Sequence, residues 1–271
     1  MPFIDILIPT YNRPTALAVT LTGLCAQTCK DFRIVVSDQS DTCDVAEIGE
    51  IQAVGRVLRS HHHPLQIYKH LPRQGITEQR QFLLSQATAP YVLFLDDDIL
   101  LEPWVLQTLL TALEREQCGF IGNPVIGLSF VDDIRPHEQA PLQFWKTPVQ
   151  PEVVRSHTPE WERWRLHNAA NPYHIQQQMG LTPDAPRLYH INWIGGCVLF
   201  DRAKLLEVGG FSFWKEVPAD ACGEDVLVQH RLMARYGGCG LLPSGAYHQE
   251  LPTTLPDRSQ KCAEFAVDLI H

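Results

Sequence analysis

The 271-residue chain contains no apolar run approaching the roughly 18 residues of a membrane span, and its start lacks a basic region followed by a signal-like apolar core. We therefore expect a soluble, cytoplasmic protein, with a peripheral place at the inner membrane face as the alternative if its partner is lipid-linked. Positive charge is also scarce. Lys and Arg number 22 against 31 Asp and Glu, a net −9, which disfavours general attraction to nucleic-acid phosphate or anionic lipid. No nucleic-acid partner is expected. The eight cysteines show no repeating spacing, and no second Cys or His pair completes a zinc pattern with Cys25 and Cys29. Reduced thiols are the natural reading. Internal repeats and low-complexity tracts are absent too. What remains is an ordinary globular composition, 45% hydrophobic and 20% charged, long enough to bury a proper core.

The most informative stretch is Tyr91-Val92-Leu93-Phe94-Leu95 running into Asp96-Asp97-Asp98. A short apolar run rich in β-favouring residues predicts a buried strand, and ligands of open α/β sheets collect at the carboxyl ends of strands. Three adjacent carboxylates repel one another, so a counter-cation is favourable there. Hard oxygen donors suit Mg²⁺ or Mn²⁺, above all beside a diphosphate. An equally simple reading is a helix N-terminus, since Glu102-Pro103 and an amphipathic segment follow.

Along the chain, Phe3 to Ile8 predicts a strand, Pro9 to Pro14 a polar turn, and Leu17, Leu21 and Leu24 a helix. A second strand, Arg33 to Asp38, also ends in an acid, and a third is expected at Leu65 to Tyr68. His61-His62-His63, between these two, is expected to be a solvated surface run. Gly75 opens a helix reaching about Ala87, and Leu106, Leu109, Leu110 and Leu113 mark another. Cys118 to Ile126 is a further strand candidate. This alternation predicts an open, mostly parallel sheet with helices on both faces.

Residues 131–190 differ in character, with many prolines and with Trp145, Trp161, Trp164, Tyr173 and Tyr189 among several histidines. So long a stretch carries its own structure or a function. Thr158-Pro159-Glu160-Trp161 predicts a capped helix start, with Trp161 and Trp164 on one face. Regular structure resumes as a strand over His190 to Phe200, interrupted by Gly195-Gly196, whose glycines suit either a close ligand approach or a bulge. Glu224-Asp225 precedes a helix carrying Val228 and Leu232, and a last strand lies near Gly240-Leu241-Leu242, before His248.

Taken in order, Pro9-Thr10-Tyr11-Asn12-Arg13, Asp38, Arg80, Asp96-Asp97-Asp98, Gly209-Gly210-Phe211 and Gly223-Glu224-Asp225 resemble the family 2 glycosyltransferases of GT-A fold. The resemblance covers most of the chain and implies one domain over 1–271. A nucleotide-sugar half would span 1–126 and an acceptor-side half 127–271, the latter with an insertion at about 131–190. It implies an inverting transfer from a nucleotide diphosphate sugar, UDP-linked, with Mn²⁺ or Mg²⁺. Pro9, Thr10, Tyr11 and Arg13 would lie on the nucleotide, Asp38 on its base and Arg80 near its phosphates. Asp98 would bind the metal directly, Asp96 would share it with ribose, and Asp97 would count least. His248 is a second metal ligand or a core histidine. Asp225 would be the general base, with Glu224 sharing or orienting that role. Trp193, Gly195 and Gly196 would flank donor or acceptor sugar. Ser37, where the family has a second acid, and Gln39, where it has Gly, are departures that bear on base identity. The acceptor is open among glycan, lipid-linked, protein and small-molecule hydroxyls.

Three other readings compete. A haloacid-dehalogenase-like phosphohydrolase also places Asp-x-Asp after an apolar strand, but near its N-terminus and with Thr or Val where Leu100 stands. A non-catalytic sugar-nucleotide or glycan-binding protein would share the fold without needing Asp98 and Asp225. A nucleotidyltransferase shows a basic, Gly-rich loop after its first strand, which Pro9 to Pro14 is not.

Overall fold

The computed structural model describes residues 3–254 and 259–262. Strand β1 (Ile4–Thr10) leads into helix α1 (Pro14–Leu24), then β2 (Phe32–Asp38), α2 (Gly49–Ser60), β3 (Leu65–Lys69), α3 (Ile76–Gln86) and β4 (Tyr91–Leu95). After β4 come β5 (Ile99–Leu101), α4 (Val105–Glu116), β6 (Phe120–Gly122) and β7 (Val125–Ile126). The later part holds α5 (Pro136–Gln139), α6 (Asn171–Met179), β8 (Arg187–Tyr189), β9 (Cys197–Asp201), α7 (Arg202–Glu207), α8 (Glu224–Tyr236), β10 (Gly238–Leu242) and β11 (Ala246–His248).

Eight strands form one sheet in the order β3-β2-β1-β4-β9-β6-β10-β8. Four neighbouring pairs are parallel, while β9 and β8 run against their neighbours. The sheet is thus mostly parallel, as the alternating pattern predicts. It also crosses residue 126, because β9 inserts between β4 and β6.

Alternation along the strands divides the core in two. Ile4, Ile6, Ile8, Leu93 and Leu95 face α1, α2 and α4, and Leu7, Val92 and Phe94 face α3, α7 and α8. A period of two gives each strand both faces, and helices cover each one. Helix α2 has no counterpart in the sequence reading. Its stripe, Ile51, Val54 and Leu58, is short and set among polar residues.

Three local expectations need correction. His63 is buried and stacks on Phe32 at 3.9 Å, so only His61 and His62 are solvated. The turn after Thr158 is a 3₁₀ helix (Trp161–His167) without a side-chain cap, since the Thr158 hydroxyl donates to the Arg155 carbonyl instead. The strand expected over 190–200 begins only at Cys197, as β9, and residues 190–196, between β8 and β9, are irregular.

The stretch 131–190 packs on the body rather than standing apart, burying Val154, Leu166 and Ile175 in the second core. Buried Arg163 pairs with Glu152 at 2.6 Å, and Glu152 also meets His190 at 3.1 Å. No helix among the described residues is long and apolar enough to cross a membrane.

Asp5, wholly buried in β1, accepts from Arg33 and from the backbone N–H groups of Thr88 and Ala89, which fixes the entry to β4. Removing one partner of such a cluster leaves buried donors unpaired. Asp5→Ala is expected to lose about 2–4 kcal/mol in urea unfolding; a loss below about 1 kcal/mol would place the anchoring elsewhere.

Candidate active site

The carboxyl end of β4 opens onto a cleft of about 870 Å³. Asp98 is followed at once by β5, and α4 starts only at Val105, so the triple Asp is not a helix cap. Antiparallel pairing of β5 with β11 sets His248 opposite Ile99, and the Gln249 N–H donates to the Asp98 carbonyl at 2.8 Å. That register brings His248 Nε2 to 3.5 Å from Asp98 Oδ2 across a separation of 150 residues that no sequence spacing announces. Arg13, just before α1, donates to Asp98 at 2.8 Å and to Asp97 at 3.5 Å, and also to the Pro252 carbonyl.

Each Asp has a different job. Asp97 is buried, accepts the Thr10 hydroxyl at 2.6 Å and offers its carbonyl to Thr20 at 2.8 Å. Expected to count least, it is the one most tied into the fold. Asp96 is the most exposed of the three and meets Arg80 Nη2 at 3.1 Å. Arg80 Nε lies 2.9 Å from Glu224 at the start of α8, so one guanidinium bridges the end of β4 and the start of α8.

Five carboxyl groups gather around Arg13 and Arg80 in this cleft, and the proton affinities of Asp97, Asp98, Glu224 and Asp225 show the crowding. Burial pushes Asp97 up to about 7, opposed by the Thr10 hydrogen bond and raised further by Asp98. Burial also raises Asp98, while His248 pulls it down. Glu224 rises to about 7 through burial and neighbouring Asp225, against the pull of Arg80. Asp225 is raised by burial, Arg80 again opposing. Shared negative charge of this kind, on hard oxygen donors beside an imidazole, fits a divalent cation. Among the described residues no three such donors stand preassembled as a cage.

Opposite the Asp cluster runs the irregular segment between β8 and β9. Gln229 on α8 accepts the Ile194 N–H at 2.9 Å and donates to the Ile194 carbonyl at 2.7 Å. Asn192 donates to the Trp161 carbonyl at 2.7 Å and contacts His230 at 2.7 Å. The segment is therefore pinned to the helix that carries Glu224 and Asp225. Gly196 has φ +78°, and a Cβ there would lie 2.7 Å from Val125, so only glycine turns the chain here.

Pro9, Thr10, Tyr11, Arg13, Arg80, Asp96, Asp97, Asp98, Trp193, Gly195, Gly196, Glu224, Asp225 and His248 all line the one cleft. Asp38 does not. Its carboxylate is buried and filled by Ser40 N–H at 2.8 Å, Lys69 at 2.9 Å and Val45 N–H at 3.2 Å. Gln39 takes its place on the wall, and Arg73 stacks over Tyr11 at 4.2 Å. Arg73, His167, Gln229 and Asn192 carry no sequence signal, because each acts through a partner distant in the chain.

The model of the family described as Glycosyl transferase family 2 matches residues 5–190. A Campylobacter jejuni protein named GalNAc(5)-diNAcBac-PP-undecaprenol beta-1,3-glucosyltransferase is 27% identical over 126 residues, 46% of this chain and 39% of that protein. Among solved structures, S. aureus TarS superposes with a TM-score of 0.57 at 16% identity, covering 90% of this chain and 36% of the other. Mannosyltransferase PcManGT from Pyrobaculum calidifontis, in complex with GDP-Man and Mn²⁺, gives 0.56 at 19% identity, covering 94% and 59%. The chain spans less than two thirds of the length of each. These likenesses fix the fold as GT-A-like, with its large mixed sheet and flanking helices.

Because Glu224 sits at about 7 against an ordinary 4.5, the folded protein keeps a proton that the unfolded chain releases over that interval. Stability contributed this way is full at the acid end and falls as pH rises through 7, with a slope of up to about 1.4 kcal/mol per pH unit. Urea unfolding across this range should show the decline, to which Asp97, also raised to about 7, contributes; Glu224→Gln should make it shallower, and parallel curves for the two proteins would remove Glu224 as a source.

Proposed function

Since the chain belongs to glycosyl transferase family 2, we propose that it moves a sugar from a nucleotide diphosphate donor, UDP-linked, to an acceptor hydroxyl, with inversion at the anomeric carbon. Family membership removes the phosphohydrolase reading. The observation that carries the proposal is the meeting, in one cleft, of the Asp96-Asp97-Asp98 turn with Arg80 and Asp225.

The donor bond breaks between the anomeric carbon and the diphosphate, and negative charge grows on the leaving oxygen. Arg13 and Arg80 hold fixed positive charge where that oxygen departs, and preorganised charge of this kind stabilises a transition state at little reorganisation cost. Asp98 and His248, with Asp96, would hold Mn²⁺ or Mg²⁺, which when bound adds positive charge to the diphosphate. TarS has been solved with UDP-GlcNAc, and PcManGT with GDP-Man and Mn²⁺, in keeping with a metal and a nucleotide sugar here.

Asp225 takes the proton of the acceptor hydroxyl as that oxygen bonds the anomeric carbon from the face opposite the diphosphate. Burial raises its proton affinity, which strengthens it as a base, and Arg80 beside it opposes that shift. Glu224, paired to Arg80, orients rather than reacts. On the base side, Tyr11, Arg73 and Gln39 form the wall, and Asp38 shapes the loop behind it by gathering Ser40, Val45 and Lys69.

Thermal-shift measurements with UDP, GDP and dTDP, each with and without Mn²⁺, should show stabilisation by UDP that depends on the metal. Indifference to every nucleotide would overturn the proposal. Asp98→Ala is expected to abolish the Mn²⁺ dependence. Asp225→Asn should cut transfer by roughly 10²- to 10⁴-fold, the usual worth of a general base, while nucleotide binding stays close to wild type; retained turnover would move the base elsewhere.

A further inference from the structure

One wall of the cleft is left over once donor, metal and base have been placed. It consists of Trp161, His167 and Trp193, running into Gly195 beside Asp225. Resting on the glycosyl-transfer reading above, we infer that this wall seats the acceptor, and that the acceptor presents an uncharged, hydroxyl-bearing six-membered ring, the pyranose end of a glycan, with its C–H face on Trp193 and Trp161.

The wall is built to keep its shape. Trp193 lies parallel to Trp164 within 5° at a centroid distance of 6.5 Å, and Trp161 leans on it at 5.9 Å and 59°. Asn192 holds the Trp161 backbone and Gln229 holds Ile194 on both sides of its peptide, so the ring positions are set before any ligand arrives. Preorganised aromatic surface lowers the ordering cost of binding. Yet Trp161 and Trp193 remain half-buried, unlike the core aromatics Phe94, Phe200 and Phe211. Flat aromatic faces open to a cleft complement the apolar face of a sugar ring.

Gly195 gives the acceptor its path. It is exposed and has no positive φ, so backbone geometry does not call for glycine here. A Cβ would stand 3.7 Å from Asp225 Oδ2, and any longer side chain would cover that oxygen. An open approach to the base is what the missing side chain supplies.

Charge argues for a neutral ring. Among the described residues lining the cleft, Arg13 is paired to Asp97 and Asp98 and Arg80 to Asp96 and Glu224, while Arg73 lies over Tyr11 and Lys261 beside Cys222. The wall itself offers His167, whose proton affinity burial lowers to about 4, leaving it neutral at pH 7. Of the described cations beside the tryptophans, Arg165 lies over Trp164 at 5.6 Å and is already paired with Glu162 at 2.7 Å, so a phosphorylated ring is less well matched here than a neutral one.

Binding of UDP with Mn²⁺ is measured first by calorimetry on the full chain, and saturation-transfer NMR then follows added methyl β-glucoside, cellobiose, maltose and diacetylchitobiose. Glucose 6-phosphate and a serine-containing peptide serve as the contrasting acceptors, and a detergent-solubilised polyprenyl-linked disaccharide separates free from lipid-carried glycan. Neutral saccharides should show saturation transfer from Trp resonances. Trp193→Ala should weaken them roughly tenfold, Trp193→Phe should largely restore them, and both variants should keep UDP affinity. Gly195→Val should cut transfer while UDP binding persists. If UDP binds but no neutral saccharide does, or if the phosphorylated sugar or peptide is preferred, or if Trp193→Ala binds saccharide as well as wild type, the acceptor assignment is wrong and the donor reading stands. If UDP and Mn²⁺ fail to bind, the donor reading itself fails and the assignment falls with it.

Discussion

Arg80 lies buried between two acidic segments, Asp96 at the end of β4 and Glu224 at the start of α8. Helix α3 brings the guanidinium there from beneath the sheet, and Phe94 backs it with a ring face at 5.4 Å. Without that shared cation, Asp96, Glu224 and Asp225 would meet in a poorly solvated space, where like charges at short range repel strongly. With it, the Asp96 end and the Glu224-Asp225 end of the cleft become one electrostatic unit. Because breaking a buried pair strands its partner, the arrangement gives the two ends a common geometry.

The three consecutive aspartates divide along the same lines. The turn between β4 and β5 ties Asp97 to Thr10 and Thr20, while Asp96 meets Arg80 and Asp98 meets Arg13 and His248. The small sheet of β5, β11 and β7 then adds His248 to Asp98 through strand register alone. A side-chain pair set by strand pairing is held in register by backbone hydrogen bonds. Arg13 completes the cluster, fixing Asp98 from α1 while gripping the Pro252 carbonyl.

Across the cleft, stiffness comes from amides. Gln229 satisfies both backbone groups of Ile194 in a segment with no regular structure, where unpaired polar groups would otherwise be costly, and Asn192 ties that segment to the Trp161 carbonyl. The stretch 131–190 contributes Trp161 and His167 to that wall and anchors itself through Arg163 and Glu152. Its packing role and its place at the site thus coexist in one segment.

The alternation of strands and helices was legible from periodicity, as were the buried run before Asp96 and the acids before Val228, because these signals repeat over several residues. The three-residue strands β5 and β11 and the break between β8 and β9 were not, since such short pieces owe their form to partners rather than to their own pattern, and helix α2 was missed because few apolar residues mark its buried side. At the site, the chain by itself determined that acids, arginines and glycines stand at the ends of its elements in a fixed order. Only the tertiary structure decided what each one faces. Asp38, read as a base ligand, spends its oxygens on Ser40, Val45 and Lys69, whereas Asp97, read as dispensable, is hydrogen-bonded to the first strand. The reason is physical: residue order sets which groups are available, but a carboxylate's role follows from which donors reach it, and those donors come from segments that meet only when the sheet is formed.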